Sequence, residues 1–278
     1  AVRARRRRTG RSSQQGRTLP PVRGAERANP LTSTPSALWQ AADVPESASP
    51  HREITSFVHH RARFTEGQLN AWNRWWSTYG HEISALLDGS EPYDPPAWFG
   101  RTAPLIMEIG SGMGEASAAM AAAEPDIDHL AVEVFEPGLG QLLKRIVEAD
   151  LRNLVLLRGD AVALLRERVP PASLAGLRIF FPDPWPKRRH RKRRLIQPAF
   201  VALAASRLAP GGTLHMATDW DDYARQMLTV AEAAEGLENT AGPGQWTPRP
   251  EWRPVTKFER RALREGRTVH DLIFRRVA

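Results

Sequence analysis

An aspartate clamped between two prolines, Asp183 in F-F-P-D-P-W-P, is followed at once by seven Lys or Arg among the eight positions from Lys187 to Arg194. A carboxylate held in a rigid frame favours positive charge that develops beside it during a reaction. A cation block of that density reads as a segment that follows the phosphates of a nucleic acid strand, the alternative being a charged face simply exposed to water. A second chemical centre lies upstream in E-I-G-S-G-M-G, Glu108 to Gly114. Gly110, Gly112 and Gly114 let the backbone turn sharply and approach a ligand where a Cβ would collide. Glu133, 19 residues past Gly114, is placed to accept from two ribose hydroxyls, and Asp160 in R-G-D-A to accept from an adenine amino group. Each of these acids alone is also a residue type that caps helices, but Glu108, Glu133, Asp160 and Asp183 together all follow apolar runs.

The ligand those acids would take is a dinucleotide or S-adenosylmethionine. A pyrophosphate binder favours G-x-G-x-x-G, with a helix N-terminus facing the phosphates. Here the spacing is G-x-G-x-G, and Glu108 ahead of it would repel an anion. A cationic sulfonium carrying an ammonium group suits the acidic surround better.

The elements that must position these residues are an alternation of strands and helices. Pro104–Ile109, His129–Val134, Asn153–Leu157, Leu177–Phe181 and Thr213–Ala217 read as strands. Glu115–Ala123, Leu139–Ala149, Ala161–Arg168 and Gln197–Leu208 read as the helices between them, and the rhythm implies a doubly wound α/β fold with a parallel sheet. Val269–Phe274 follows as an antiparallel edge strand. Ahead of the sheet, Thr65 and Gln68 stand at capping-box spacing, and Leu69, Trp72, Trp76 and Tyr79 recur at helical period, predicting an N-terminal helical extension that ends at Gly80. Its aromatic stripe reads as core. In an open α/β sheet, ligands sit at the carboxyl ends of the strands, where all four acids fall.

Composition narrows the class. Of 278 residues 41% are apolar, enough for one catalytic domain over residues 51–278. The formal charge of +8 resides in the first 30 residues, which hold nine Arg and one Glu; the rest of the chain is balanced, so nucleic acid binding must come from local patches. Residues 1–50, rich in Arg, Ser, Pro and Gly, read as a disordered Arg-rich tail, a loose basic arm whose composition also suits a transit peptide. The absence of cysteine excludes disulfides, thiolate nucleophiles and Cys-ligated zinc. No apolar run approaches a membrane span, so the expected protein is cytoplasmic, with no membrane partner and no metal.

Taken together, E-I-G-S-G-M-G, A-V-E-V-F-E-P-G, G-D-A, F-F-P-D-P-W-P-K-R-R-H-R-K-R-R, A-T-D-W and T-K-F-E resemble the bacterial tRNA (guanine-N7)-methyltransferase family, from about Ser56 to the last strand. Pro186 stands where that family often carries a His or another polar residue. The resemblance implies a seven-stranded Rossmann-like sheet, S-adenosylmethionine as co-substrate, and tRNA as partner of a monomer or homodimer methylated at position 46 of the variable loop. It implies that Glu108, Glu133, Asp160 and Asp183 contact the donor, with Asp183 also catalytic. Lys187, Asp219 and Thr256, Lys257, Phe258 and Glu259 would hold the target nucleotide, and Arg189, His190, Arg191, Lys192, Arg193 and Arg194 would face the RNA.

The chemistry asked of such residues is modest. Guanine N7 has an in-plane lone pair, so its attack on a sulfonium methyl needs no prior deprotonation and no strong general base. Asp183 would favour the positive charge passing onto the base, and positioning of the reacting atoms about 3–3.5 Å apart would be the larger effect. Asp219, Thr256 and Glu259 are suitable acceptors for the guanine amino and imino donors. Trp185 and Trp220 can either stack on the base or fill core. Two competing readings are an amino-group methyltransferase, whose motif resembles D-P-P-Y, and an inactive RNA-binding scaffold of the same fold.

Overall fold

In the computed structural model residues 63–277 are described; the tail read over residues 1–50 and residues 56–62, where the family resemblance begins, lie outside the described residues. In chain order the elements are α1 (Glu66–Tyr79), β1 (Gly80–Glu82), α2 (Ile83–Asp88), α3 (Pro95–Phe99), β2 (Leu105–Ile109), α4 (Glu115–Ala123), β3 (Asp128–Glu133), α5 (Glu136–Glu148), β4 (Leu154–Arg158), α6 (Ala161–Glu167) and β5 (Leu174–Phe180). A 3-10 segment over Arg188–Arg193 leads into α7 (Pro198–Arg207), β6 (Leu208–Thr218), α8 (Asp221–Glu232), β7 (Leu237–Asn239), α9 (Lys257–Arg264) and β8 (His270–Arg276).

The capping box of α1 forms as its spacing predicts: the Gln68 amide donates to the Thr65 hydroxyl, and the Thr65 amide donates to the Gln68 side chain at 2.9 Å. The buried stripe differs from the expected one. Ala71, Trp72, Trp75, Trp76 and Tyr79 pack against α5, while Leu69 is exposed. Close approach explains the difference: a Cβ on Gly140 of α5 would lie 3.0 Å from the Gln68 carbonyl oxygen, so Gln68 rather than its neighbour sits at the contact.

Among the described residues eight strands form one sheet in the order β1-β4-β3-β2-β5-β6-β8-β7. β8 runs antiparallel to β6 and β7, and the other pairings are parallel. The expected sheet is therefore present, with its antiparallel C-terminal strand, but it has eight strands rather than seven. β1 and β7 were not read from the sequence because each is three residues long, too short for a period-2 pattern. Gly80 caps α1 in an extended conformation and enters the pairing with Leu156 directly.

The central strands are covered on both faces and so read as apolar runs; Met107, Leu130, Val132, Leu157, Leu177, Ile179 and Met216 form the buried middle of the core. From β2 the chain steps outward through β3 and β4, then returns to build β5 and β6 on the other side. The loops after β2 and β5 therefore diverge, opening a crevice at the switch point.

Candidate active site

Beyond β2 the backbone passes through Gly110, Gly112 and Gly114 at φ 82°, 55° and 71°, a left-handed region that favours glycine. A Cβ on Gly110 or Gly112 would meet nothing within 4 Å, so these two face open ligand space. The third has another purpose: a Cβ on Gly114 would lie 2.4 Å from Leu142 Cδ1, and its absence lets α4 start against α5. Gly138, in the first turn of α5, completes the cradle, since a Cβ there would lie 2.2 Å from the Gly112 carbonyl oxygen. Nothing in A-V-E-V-F-E-P-G marks Gly138 for this role, because the backbone it approaches lies after another strand.

Glu133 ends β3 with a carboxylate that accepts from the Gly112 amide at 2.8 Å and from the Val134 and Phe135 amides at 2.7 and 2.9 Å. It thus shapes the glycine turn as well as presenting an anion. Asp160 accepts from the Val162 amide at 2.8 Å and caps α6, so the capping role open to it is realised. Gly110, Gly112, Glu133, Asp160 and Asp183 line one cleft of about 280 Å³, with Phe258 at its edge. Glu108 does not line it. It opens instead onto an adjoining cavity of about 50 Å³ behind the glycine turn, where its carboxylate accepts from the Ser117 hydroxyl. Burial pushes the Glu108 carboxyl up, against the opposing effects of Ser117 and Arg178. Glu133, unlike Glu108, lines the cleft itself.

Asp183 lies three residues past β5, exposed, between Phe181 and Trp185, which hold φ of 53° and 43°. Left-handed backbone at non-glycine residues costs about 1–3 kcal/mol each and persists where surrounding structure imposes it. Trp185 lies under the cationic segment, with the Arg193 guanidinium 5.0 Å from its ring centroid and His190 edge-on at 5.9 Å. Trp220 instead packs partly buried against the main core. Lys187, Arg188, Arg189, Arg191, Lys192 and Arg193 are exposed, and desolvation with the surrounding cations holds the His190 imidazole below its usual range.

Arg194 departs from the expected RNA-facing role. Its side chain is buried, donating to the Pro184 carbonyl, Gln226 and Asp222. Three of the five guanidinium N–H donors are thus used inside the protein.

The segment expected to hold the nucleotide is also divided by the fold. Phe258 is exposed and stacks on Phe181, centroids 6.1 Å apart at 25°, with Lys257 Nζ 5.0 Å from its ring. Thr256 caps α9, its hydroxyl accepting from the Glu259 amide at 3.2 Å. The Glu259 carboxylate is buried and paired with Arg253 at 2.6 Å. Arg253, fully buried, also grips Asp271 at 2.7 and 2.8 Å, and the Asp271 carboxylate accepts from His215 at 2.7 Å. Nothing in E-W-R-P-V marks Arg253 as the hub of this network, because its partners lie on α9 and β8. Asp219, at the end of β6, is held by Arg267 at 2.9 Å.

Residues 102–272 match a family model described as "Putative methyltransferase". A Streptomyces coelicolor protein named tRNA (guanine-N(7)-)-methyltransferase is 52% identical over 226 residues, covering 81% of this chain and 82% of that one. Proteins of the same name from Alcanivorax borkumensis and Bordetella parapertussis are 47% and 48% identical, covering 84% and 93% of this chain and 96% and 99% of theirs. The matched span takes in both walls of the cleft and the cationic segment behind Asp183, and the chain belongs to the tRNA (guanine-N(7)-)-methyltransferase family.

Proposed function

We propose that this chain transfers a methyl group from S-adenosylmethionine to N7 of a guanine in tRNA, at position 46 of the variable loop. The observation that carries the proposal is the placement of Asp183 on the same cleft as Glu133 and the glycine turn, with exposed cations following it in the chain. The cleft suits the donor. Two glycines leave open space before them, the Ser111 hydroxyl is buried without a partner, and Glu133 and Asp160 offer acceptors.

Gly110, Gly112, Glu133 and Asp160 would hold the donor, which supplies an electrophilic methyl on a sulfonium. Asp183 then favours the positive charge arriving on the guanine ring, and needs no proton transfer to do so. Phe258 offers an apolar face for the base, while Lys187, Asp219 and Thr256 are the polar groups proposed to meet the nucleotide. Glu259 acts at one remove, by fixing α9 through Arg253. Lys187 to Arg193 follow the flanking phosphates and give affinity that falls with salt. Among the described residues no helix is long and apolar enough to cross a membrane.

Nucleoside mass spectrometry after incubation with the donor and tRNA lacking the modification tests the reading. The expected product is 7-methylguanosine, mapped by chain cleavage to position 46. N6-methyladenosine instead would end the guanine assignment, and failure to bind labelled donor would favour the scaffold.

A further inference from the structure

Within the cationic block, Arg194 is 2% exposed whereas Arg188, Arg189, Arg191, Lys192 and Arg193 are all exposed. Burial of a guanidinium is unfavourable by several kcal/mol unless the charge is paired and its donors are used. Here Nε donates to the Pro184 carbonyl at 2.8 Å, Nη1 to Gln226 at 2.7 Å and Nη2 to Asp222 at 2.6 Å. The guanidinium also lies 4.7 Å from the Tyr223 ring centroid. Asp222, Tyr223 and Gln226 belong to α8, which packs against α7, β6, β7 and β8. Pro184 is the residue directly after Asp183.

The loop has reason to need such a hold. Phe181 and Trp185 bracket Asp183 in left-handed conformations that must be imposed from outside. Pro182, Pro184 and Pro186 lack the amides that could stabilise the turn internally. The Pro184 carbonyl is thus one point at which the frame is tied to α8, through Arg194. Asp222 also contacts exposed Arg191 at 3.2 Å, so the RNA-facing segment and the catalytic loop share one anchor.

We propose that Arg194 is a positioning residue for Asp183, clamping the Pro184 backbone to α8, rather than a phosphate contact. The activity readout of this clamp rests on the methyl transfer proposed above; its structural readout does not.

The test uses Arg194→Lys and Asp222→Asn in the full chain. Lysine keeps the charge but cannot reach three acceptors in a planar fork. For Arg194→Lys, single-turnover methyl transfer at saturating tRNA and donor should fall on the order of 10- to 100-fold, the effect expected of a misplaced reacting group. The tRNA Kd and its salt slope should stay at wild-type values. Hydrogen exchange at the Phe181 and His190 amides, which donate to the Ala217 and Lys187 carbonyls, should quicken without change elsewhere in the sheet. Asp222→Asn should show the same pattern more weakly, and since that carboxylate is 43% exposed it decides the matter if Arg194→Lys does not fold. A salt slope reduced by roughly 0.7–0.9 with an unchanged saturating rate would make Arg194 a phosphate contact, and unchanged rate and exchange in both variants would remove the clamp. If the wild-type protein methylates no tRNA, the function fails while the exchange measurement still judges the clamp.

Discussion

Replacing Arg253 by Met should cost about 3–5 kcal/mol of folding stability, the range for removing one partner of a buried ion pair. Methionine roughly fills the space but leaves the Glu259 and Asp271 carboxylates, 5% and 2% exposed, without their shared cation. Two broken pairs would suggest twice that loss. Each carboxylate keeps one weaker partner, however: Arg249 stands 3.6 Å from Glu259, and His215 stays 2.7 Å from Asp271. The loss should therefore stay near that of a single pair, still a large part of a typical total of about 5–15 kcal/mol. Its pH dependence provides an independent check. In the wild type, burial alone would raise the Asp271 carboxyl, but hydrogen bonds from His215 and Arg253 outweigh it and hold it below the usual 3.8. That contribution is fully present above 3.8 and is lost as pH falls through the lower folded value. Without Arg253 burial dominates, the folded value moves above the unfolded one, and acidification relieves the variant. Urea unfolding at pH 7 and pH 5 should show the gap between the two proteins narrowing toward the acid side. A variant within about 1 kcal/mol of wild type at pH 7, or a gap that widens on acidification, would refute the assignment of Arg253 as the hub holding α9.

Asp183→Ala should lower the single-turnover rate by a factor on the order of 10²–10³, as for removal of other preorganised electrostatic groups, with the tRNA Kd nearly unchanged; wild-type turnover would refute its role. Arg189, Arg191 and Arg193 changed together to Gln should weaken tRNA binding and flatten the plot of log K against log salt by roughly 0.7–0.9 per lost phosphate contact, and an unaltered slope would mean these side chains are merely solvated. Gly138→Ala forces a methyl against the Gly112 backbone; a stability loss of about 1–3 kcal/mol and weaker binding of labelled donor are expected, and calorimetry showing neither would remove Gly138 from the cradle. Burial pushes the His129 imidazole down to about 4 from 6.5. The unfolded chain then binds more protons between those values, so wild-type stability should rise with pH across that window, and His129→Gln should flatten the rise in urea titrations; an equally steep rise would place its origin elsewhere.

Much of the site could be read from the residues alone because its chemistry is local. A glycine turn needs only its own φ angles, and strand-end acids reach a ligand wherever a parallel sheet forms, so the turn, Glu133, Asp160 and Asp183 meet on one cleft. The Ala-rich run after the glycine turn was equally readable, and α4 matches the expected helix to its end residues. β1 and β7 are too short to carry a pattern, and α9 buries only Glu259 and Ala262, so no apolar stripe announces it. α8 does carry one, through Tyr223, Ala224, Met227 and Ala231, and was overlooked.

Charge is where residue type and spacing stop being informative. Arg193 and Arg194 are adjacent and chemically identical, yet one covers Trp185 from the solvent side and the other is enclosed by α8 through a partner 28 residues away. Glu259 has the composition of a base-reading acid and becomes an ion-pair partner because Arg253 is buried beside it. Whether a charge binds a ligand or braces the fold depends on its desolvation and on long-range partners. Both arise only when distant elements pack.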